Sequence, residues 1–285
     1  MLVNFVLPTL NASGGVKVVK DYCYWLNAHG HDCYIYYPLK EKLKHYLTED
    51  YNIDYTVPYL RAGGIRDADV TLATAWDTAQ IVRDLPEVCG VKAYFIQHYE
   101  KLWDGRAEKT YDYPLKQLCV SRWLADTIRT IHGTNPLVVE NGIRLPASIY
   151  KNVTDHRLRI LMPYRQEAWK GTDDGLDALE QVREQHPECR YGVYGWRVDT
   201  DMLPEWMEVY ERYTDAEVRD LYYKTDIFLN PSTSEGFNLP SLEAMAYMCA
   251  VVTTNTGAVP EYTDHGFYAF VVTPYDVGKM AEYVT

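Results

Sequence analysis

The sequence predicts an α/β protein of two parallel-sheet domains facing each other across a cleft, and three observations predict it. Short apolar strands alternate with helix-length amphipathic stretches along all 285 residues, the pattern of a parallel sheet covered by helices. The rhythm breaks once, in a polar loop running from Asn141-Gly142 past Pro146 to about Asp155, and then restarts. A chain of this length has room for two medium domains, so the boundary is placed between residues 1–150 and 151–285.

In the first half the predicted strands are 2–7, 33–37, 69–73, 92–96, 117–120 and 137–140, with helices over 15–29, 76–84 and 121–132. Ser121 is positioned to cap the last of these. The second half opens with strand 158–162, then helix 172–186, strand 190–195, helix 215–224, strand 226–230 and helix 239–248. Strands 249–253 and 267–272 and a final helix near 274–284 complete it. Ligands of such sheets collect at the carboxyl ends of the strands, so the residues that follow each strand carry the functional argument.

Composition narrows the function classes. A hydrophobic content of 47% is ordinary for a globular protein, and no stretch approaches the ~20 apolar residues of a membrane span. The chain enters the strand-like Leu2–Leu7 without a charged leader, so no signal peptide is expected. Residues 1–150 carry 16 Lys and Arg against 17 Asp and Glu, whereas residues 151–285 carry 12 against 23. So acidic a second half makes a poor nucleic-acid surface. Six scattered cysteines without a C-x-x-C read as buried, reduced thiols of a cytosolic protein. The helix at 121–132, with Arg122, Arg129 and His132, is too weakly basic to predict membrane docking and leaves only peripheral contact open.

The most informative segment is Asn230-Pro-Ser-Thr-Ser-Glu-Gly-Phe-Asn-Leu-Pro-Ser-Leu-Glu-Ala-Met-Ala246. A buried strand, Asp226–Asn230, breaks into a glycine-containing loop and restarts as a helix near Leu239. Free backbone N–H groups and the helix dipole favour an anion there. Glu235 and Glu243 bracket the loop, and a carboxylate accepts from neighbouring sugar hydroxyls. An anion seat beside two hydroxyl-reading acids suggests a sugar nucleotide. Arg165 and Lys170, in the loop Tyr164–Gly171, converge on the same anion: Arg suits bidentate phosphate binding and Lys acts as a point charge. Gly14 and Gly15, in Pro8–Val16, let backbone approach a ligand closely, without forming a G-x-G-x-x-G dinucleotide fingerprint. Asp199-Thr-Asp201 and Asp67-Ala-Asp69 have oxygen donors that suit Mg or Mn, but read as loop acids.

The segment around Glu235 and Glu243 resembles the acid–seven residues–acid motif of retaining glycosyltransferases of family 4, which have the GT-B fold of two Rossmann-like domains. Ser234, Glu235, Gly236, Phe237, Pro240, Leu242, Glu243, Ala244, Met245 and Ala246 carry the match. The resemblance implies retaining transfer of a hexosyl or deoxyhexosyl unit from a nucleoside-diphosphate-sugar to a hydroxyl of a glycan, lipid or small molecule. It makes 1–150 the acceptor-side domain and 151–285 the donor domain. Glu243 would bind the ribose, and Glu235 would sit by the transferred sugar. The backbone of Gly236, Phe237, Asn238 and Leu239 would hold sugar and diphosphate, and Arg165 and Lys170 would stabilise the leaving group in place of a metal. No cofactor is expected.

Gly14 and Gly15 resemble the family's glycine loop, and Gly195, ending a strand before Trp196-Arg197, would let the base approach. In Tyr94-Phe-Ile-Gln-His-Tyr-Glu100 a sugar-facing histidine is expected at His98, with Gln97 the alternative in the other register; some polysaccharide rhamnosyltransferases carry a similar Gln-x-Tyr-Glu tract. Arg212-Tyr-Thr214 would meet the base through backbone. Asn141-Gly142-Ile143 resembles the inter-domain passage, and Gly257-Ala-Val-Pro-Glu261 would support the site. One departure stands out: family members continue past the last strand, and this chain stops at Thr285, as expected of a compact or C-terminally short member. A cytoplasmic location follows, in a host's cytoplasm if the source is viral. The rival readings are a non-catalytic sugar-nucleotide sensor or partner subunit, and a GT-B sugar-nucleotide epimerase.

Overall fold

The computed structural model describes residues 1–10, 13–37, 59–61, 64–146, 157–211 and 214–285. They divide into two compact units, Met1–Asn141 and Gly142–Thr285. The boundary expected at 150/151 lies among residues 147–156, outside the described residues.

Unit 1 runs β1 (Leu2–Val6), α1 (Gly14–Ala28), β2 (Asp32–Tyr37), β3 (Tyr59–Arg61), β4 (Val70–Ala73), α2 (Trp76–Arg83), β5 (Val91–Ile96), β6 (Lys116–Cys119), α3 (Arg122–His132) and β7 (Leu137–Val138). Short 3-10 turns at Glu100–Leu102 and Gly105–Asp112 follow β5. The strands form one parallel sheet in the order β3-β2-β1-β4-β5-β6-β7. Phe5, Val6, Ile35, Tyr36, Ala93, Tyr94 and Phe95 are buried in it. Burial of both faces is what near-continuous apolar strands require.

Unit 2 runs β8 (Arg159–Pro163), α4 (Thr172–Gln185), β9 (Arg190–Gly195), β10 (Met207–Glu211), α5 (Asp215–Lys224), β11 (Ile227–Asn230), α6 (Leu239–Ala246), β12 (Ala250–Thr254), α7 (Val259–Tyr262), β13 (Phe270–Val272) and α8 (Val277–Val284). Its parallel sheet has the order β10-β9-β8-β11-β12-β13. One core joins Ile160, Met162, Leu179, Val193 and Leu229 to Met280 and Val284 of α8. A second core, around Leu161, Leu221, Tyr222, Phe228, Ala244 and Val251, packs α5 and α6 against the sheet.

Counted within each unit, both sheets follow 3-2-1-4-5-6, the doubly wound order whose crevice opens where the chain direction across the sheet reverses. Two strands missing from the sequence-based prediction, β3 and β10, are the edges on the same side of the two sheets. β10 reads Met-Glu-Val-Tyr-Glu and buries fully only Met207, because an edge strand needs no continuous apolar run. Helix starts follow local capping: Ser13 accepts from the Val16 N–H, Ser121 from Leu124, and Thr214 pairs with Glu217 in a capping box. All six cysteines are free, and only Cys189 is less than fully buried. Among the described residues no helix is long and apolar enough to cross a membrane.

Candidate functional site

In unit 2 the reversal lies between β8 and β11, so the loops leaving these two strands flank the crevice. Backbone joins the loops. The Thr233 N–H donates to the Trp169 carbonyl at 2.7 Å, and the Thr233 hydroxyl donates to it at 3.2 Å. Gly171 has φ 64°, and a Cβ there would run into the Pro231 carbonyl oxygen. Only glycine permits both the left-handed turn and that approach.

Across this seam Lys170 Nζ lies 2.8 Å from Glu235 Oε1, with side-chain exposures of 26% and 12%. The two residues stand 65 positions apart in sequence. Arg165 sits on the same loop as Lys170, fixed by Thr172: the Arg165 N–H donates to Thr172 Oγ1 at 3.1 Å, and that hydroxyl donates to the Arg165 carbonyl at 2.6 Å. Arg165 Nη1 also donates to the Tyr164 carbonyl at 2.9 Å.

The loop after β11 is held by a buried polar network. Asn238 has φ 69°, a left-handed conformation that Asn tolerates better than most residues. Its Oδ1 accepts from Asn230 Nδ2 at 2.7 Å and from the Ser241 N–H at 3.4 Å, and its Nδ2 donates to Thr253 Oγ1 at 3.3 Å. One side chain therefore caps α6 while tying it to the ends of β11 and β12. The Tyr262 hydroxyl donates to the Asn238 carbonyl at 3.0 Å, and the Phe237 ring packs 5.6 Å from the Tyr262 ring. Burial, and then the charge of Glu235, hold the Tyr262 phenol well above its ordinary pKa. Gly257, with φ 53°, presses on this loop: a Cβ there would run into the Glu235 carbonyl oxygen. The backbone from Glu235 to Leu239 is thus fixed from three sides at a helix N-terminus whose first turn contains Pro240.

Glu243 lies just over one turn into α6. The Tyr222 hydroxyl donates to Glu243 Oε2 at 3.4 Å and lies 3.0 Å from the Tyr194 hydroxyl, and both tyrosines are buried. Gly195 ends β9, and a Cβ there would come within 2.8 Å of the Tyr164 carbonyl oxygen. That gives the glycine a packing reason of its own, beside any approach of a base. Arg197 is exposed. Of Arg212-Tyr-Thr214, the first two lie outside the described residues, and Thr214 caps α5.

In unit 1 Gly14 opens α1, whereas residues 11–12 of the same loop lie outside the described residues. Gln97 Nε2 donates to the Gly15 carbonyl at 3.3 Å. The His98 ring instead turns to Trp103, with centroids 4.5 Å apart. The structure therefore brings Gln97 to the glycine loop. Glu100 is a group to which the sequence reading gives no role. Its Oε2 accepts from the Trp76 N–H at 2.8 Å and the Tyr94 hydroxyl at 2.7 Å. Burial pushes its carboxyl up to about 7 against the opposing effect of those two hydrogen bonds, with Asp77 and Asp104 adding repulsion. One acid of each Asp-x-Asp tract serves backbone: Asp69 accepts from the Leu2 N–H at 2.7 Å, and Asp199 from the Asp201 N–H at 3.3 Å.

Residues 157–285 match the model of the family described as Glycosyl transferases group 1. The phosphatidylinositol N-acetylglucosaminyltransferase gpi3 subunit of Schizosaccharomyces pombe is 29% identical over 136 residues, covering 45% of this chain and 29% of that protein. The phosphatidyl-myo-inositol mannosyltransferase of Propionibacterium freudenreichii is 30% identical over 148 residues, covering 50% of this chain and 38% of that protein. The chain thus spans well under half the length of these relatives. A crystal structure of Anabaena Alr3699/HepE in complex with UDP superposes with TM-score 0.78 at 15% identity, over all of this chain and 89% of that one. Likeness of this kind shows the fold: the two parallel-sheet halves are those of GT-B proteins.

Proposed function

We propose that this chain, whose residues 157–285 form a glycosyl transferases group 1 domain, moves a sugar from a nucleoside-diphosphate-sugar to a hydroxyl acceptor. The observation that carries the reading is the Lys170–Glu235 pair at 2.8 Å, set beside the fixed N-terminus of α6. A diphosphate seated on that helix terminus draws Lys170 off the carboxylate, because phosphate oxygens offer the ammonium more negative charge. Glu235 is then free to accept from hydroxyls of the transferred sugar. Arg165, on the same loop as Lys170, supplies the second cation at the departing nucleotide. Glu243, oriented by Tyr222, accepts from the ribose hydroxyls.

The reaction breaks the bond between the anomeric carbon and the β-phosphate oxygen and joins the acceptor oxygen to that carbon. With the acceptor on the face the phosphate leaves, its proton passes to a phosphate oxygen and configuration is retained. Because Arg165 and Lys170 provide the positive charge, we assign no metal to the step. We assign the donor to unit 2 and the acceptor to unit 1. The six free cysteines suit a reducing compartment, and we place the protein in the cytoplasm.

Thermal unfolding with UDP, GDP, dTDP and ADP tests this reading on the wild type, Lys170→Ala and Glu243→Ala. A nucleotide at ~100 times its dissociation constant adds about 2.7 kcal/mol of stability. One nucleotide should shift the wild type and neither variant. A folded protein that responds to none of them overturns the proposal. Binding without hydrolysis or transfer of the matching nucleotide-sugar moves the reading to a sensor.

A further inference from the structure

β5 ends at Ile96, and residues 97–115 make two 3-10 turns before β6 begins. Glu100 lies in this excursion and does an unusual job. The start of α2 has Ala75 at its cap position with no side-chain cap of its own, and the Trp76 N–H is met instead by the carboxylate of Glu100. Both hydrogen bonds to the carboxylate fall on Oε2; Oε1 takes neither.

The surroundings have the chemistry of a sugar-binding surface. Trp103 is 41% exposed, and its backbone N–H donates to the Glu100 backbone carbonyl at 3.2 Å in the 3-10 turn. The Arg106 guanidinium lies 4.6 Å from the centre of the half-buried Trp76 ring and is held by Asp104 at 2.6 Å. Indole faces stack on the C–H face of a sugar ring, carboxylates accept from its hydroxyls, and a guanidinium donates to its oxygens. Asp77, Asp104 and Glu100 outnumber Arg106 here, which disfavours phosphate and selects a neutral ligand.

We propose that Glu100, flanked by Trp76 and Trp103, is a subsite in unit 1 for a neutral, hydroxyl-rich ring, one sugar unit of the acceptor. The assignment of that ring to the acceptor rests on the reading of unit 2 as the donor domain. Glu100 Oε1 accepts from a hydroxyl, and Trp103 stacks on the ring.

Saturation-transfer NMR with the methyl glycosides of glucose, galactose, mannose, rhamnose and N-acetylglucosamine tests the subsite on the 285-residue chain. Glu100→Gln keeps an oxygen for both internal hydrogen bonds and should fold, which near-UV circular dichroism checks; Trp103→Ala alters an exposed ring. At least one glycoside should receive saturation at its ring protons. Its affinity should fall about tenfold in each variant, the loss of one charge-assisted hydrogen bond or one stacking face. Nucleotide binding by the same samples should not change. If no glycoside binds, or one binds both variants as it binds the wild type, the subsite is overturned. Glycoside binding without nucleotide binding upholds the subsite and removes its assignment to an acceptor.

Discussion

The two units share a strand order and differ in which strand end they elaborate. In unit 1 the fourth strand, β4, passes to α2 through Thr74 and Ala75 alone, and both of their N–H groups donate to Thr78 Oγ1 at 3.0 Å. The turn is closed on itself. In unit 2 the corresponding passage from β11 to α6 is residues 231–238, and it holds Glu235, the Asn238 network and the seam to Lys170. After the fifth strand unit 1 spends residues 97–115, with two 3-10 turns, and unit 2 spends residues 255–269, with the short α7, before the next strand. A doubly wound sheet fixes where a ligand can lie; the connection that is lengthened fixes what kind of ligand it is. Unit 2 lengthens the one beside a cation loop, and unit 1 the one beside aromatic rings.

The comparison breaks most severely at a glycine. Gly257 and Gly133 are both left-handed, with φ 53° and 68°. An alanine Cβ at 133 meets nothing within 4 Å, whereas at 257 it runs into the Glu235 carbonyl. Gly133→Ala should cost about 1 kcal/mol from backbone preference alone. Gly257→Ala should cost about 3 kcal/mol or more, because the loop carrying Glu235 must move as well. Denaturant midpoints measure both, and the nucleotide-induced shift should vanish only in the Gly257 variant. Equal costs would mean that the loop after β11 is no more fixed than the end of α3. A smaller effect is expected at Tyr222. Tyr222→Phe removes the hydroxyl that orients Glu243, so preference for the nucleoside diphosphate that binds over its 2′-deoxy form should fall about fivefold, in line with one hydrogen bond. Calorimetric titration of the two nucleotides reads it. An unchanged preference would show that Glu243 needs no such support.

How much of this was legible in sequence follows from the range over which each cause acts. β8 and β9 are apolar runs buried on both faces and are visible as such, while β3 and β10 escape because edge strands carry a weaker pattern. Lys170 and Glu235 could each be picked out from loop position, but their contact depends on β8 and β11 being neighbours, which no local window contains. Asn238 was readable only as loop backbone. Its side-chain role requires Asn230 and Thr253 to converge from two strands. Gly257 was legible as support for the site, and the carbonyl that demands a glycine was not. Gln97 and His98 differ by one register position, and only the meeting of β5 with the start of α1 separates them. Glu100 was invisible as a perturbed acid because burial is a tertiary property.

The smallest expected effect tests whether unit 1's lengthened connection carries a strained charge. Glu100 has a carboxyl raised from 4.5 to about 7, chiefly by burial, with Asp77 and Asp104 repelling its charge and the Tyr94 hydroxyl and Trp76 N–H favouring it. The Glu100 backbone N–H donates to the Tyr111 hydroxyl at 2.8 Å. The folded state therefore binds a proton more tightly than the unfolded chain. The stability that this gives is fully present below 4.5 and is lost as pH rises through about 7. Glu100→Gln cannot ionise and keeps an oxygen for both hydrogen bonds. Its unfolding temperature should match the wild type near pH 5 most closely and exceed it by a few degrees at pH 8, a shift of the size that about 1 kcal/mol produces. If Glu100→Gln is the less stable protein at pH 8, the carboxylate stabilises unit 1 as an ordinary helix cap, and the contrast between a strained acid in unit 1 and a paired one in unit 2 falls with it.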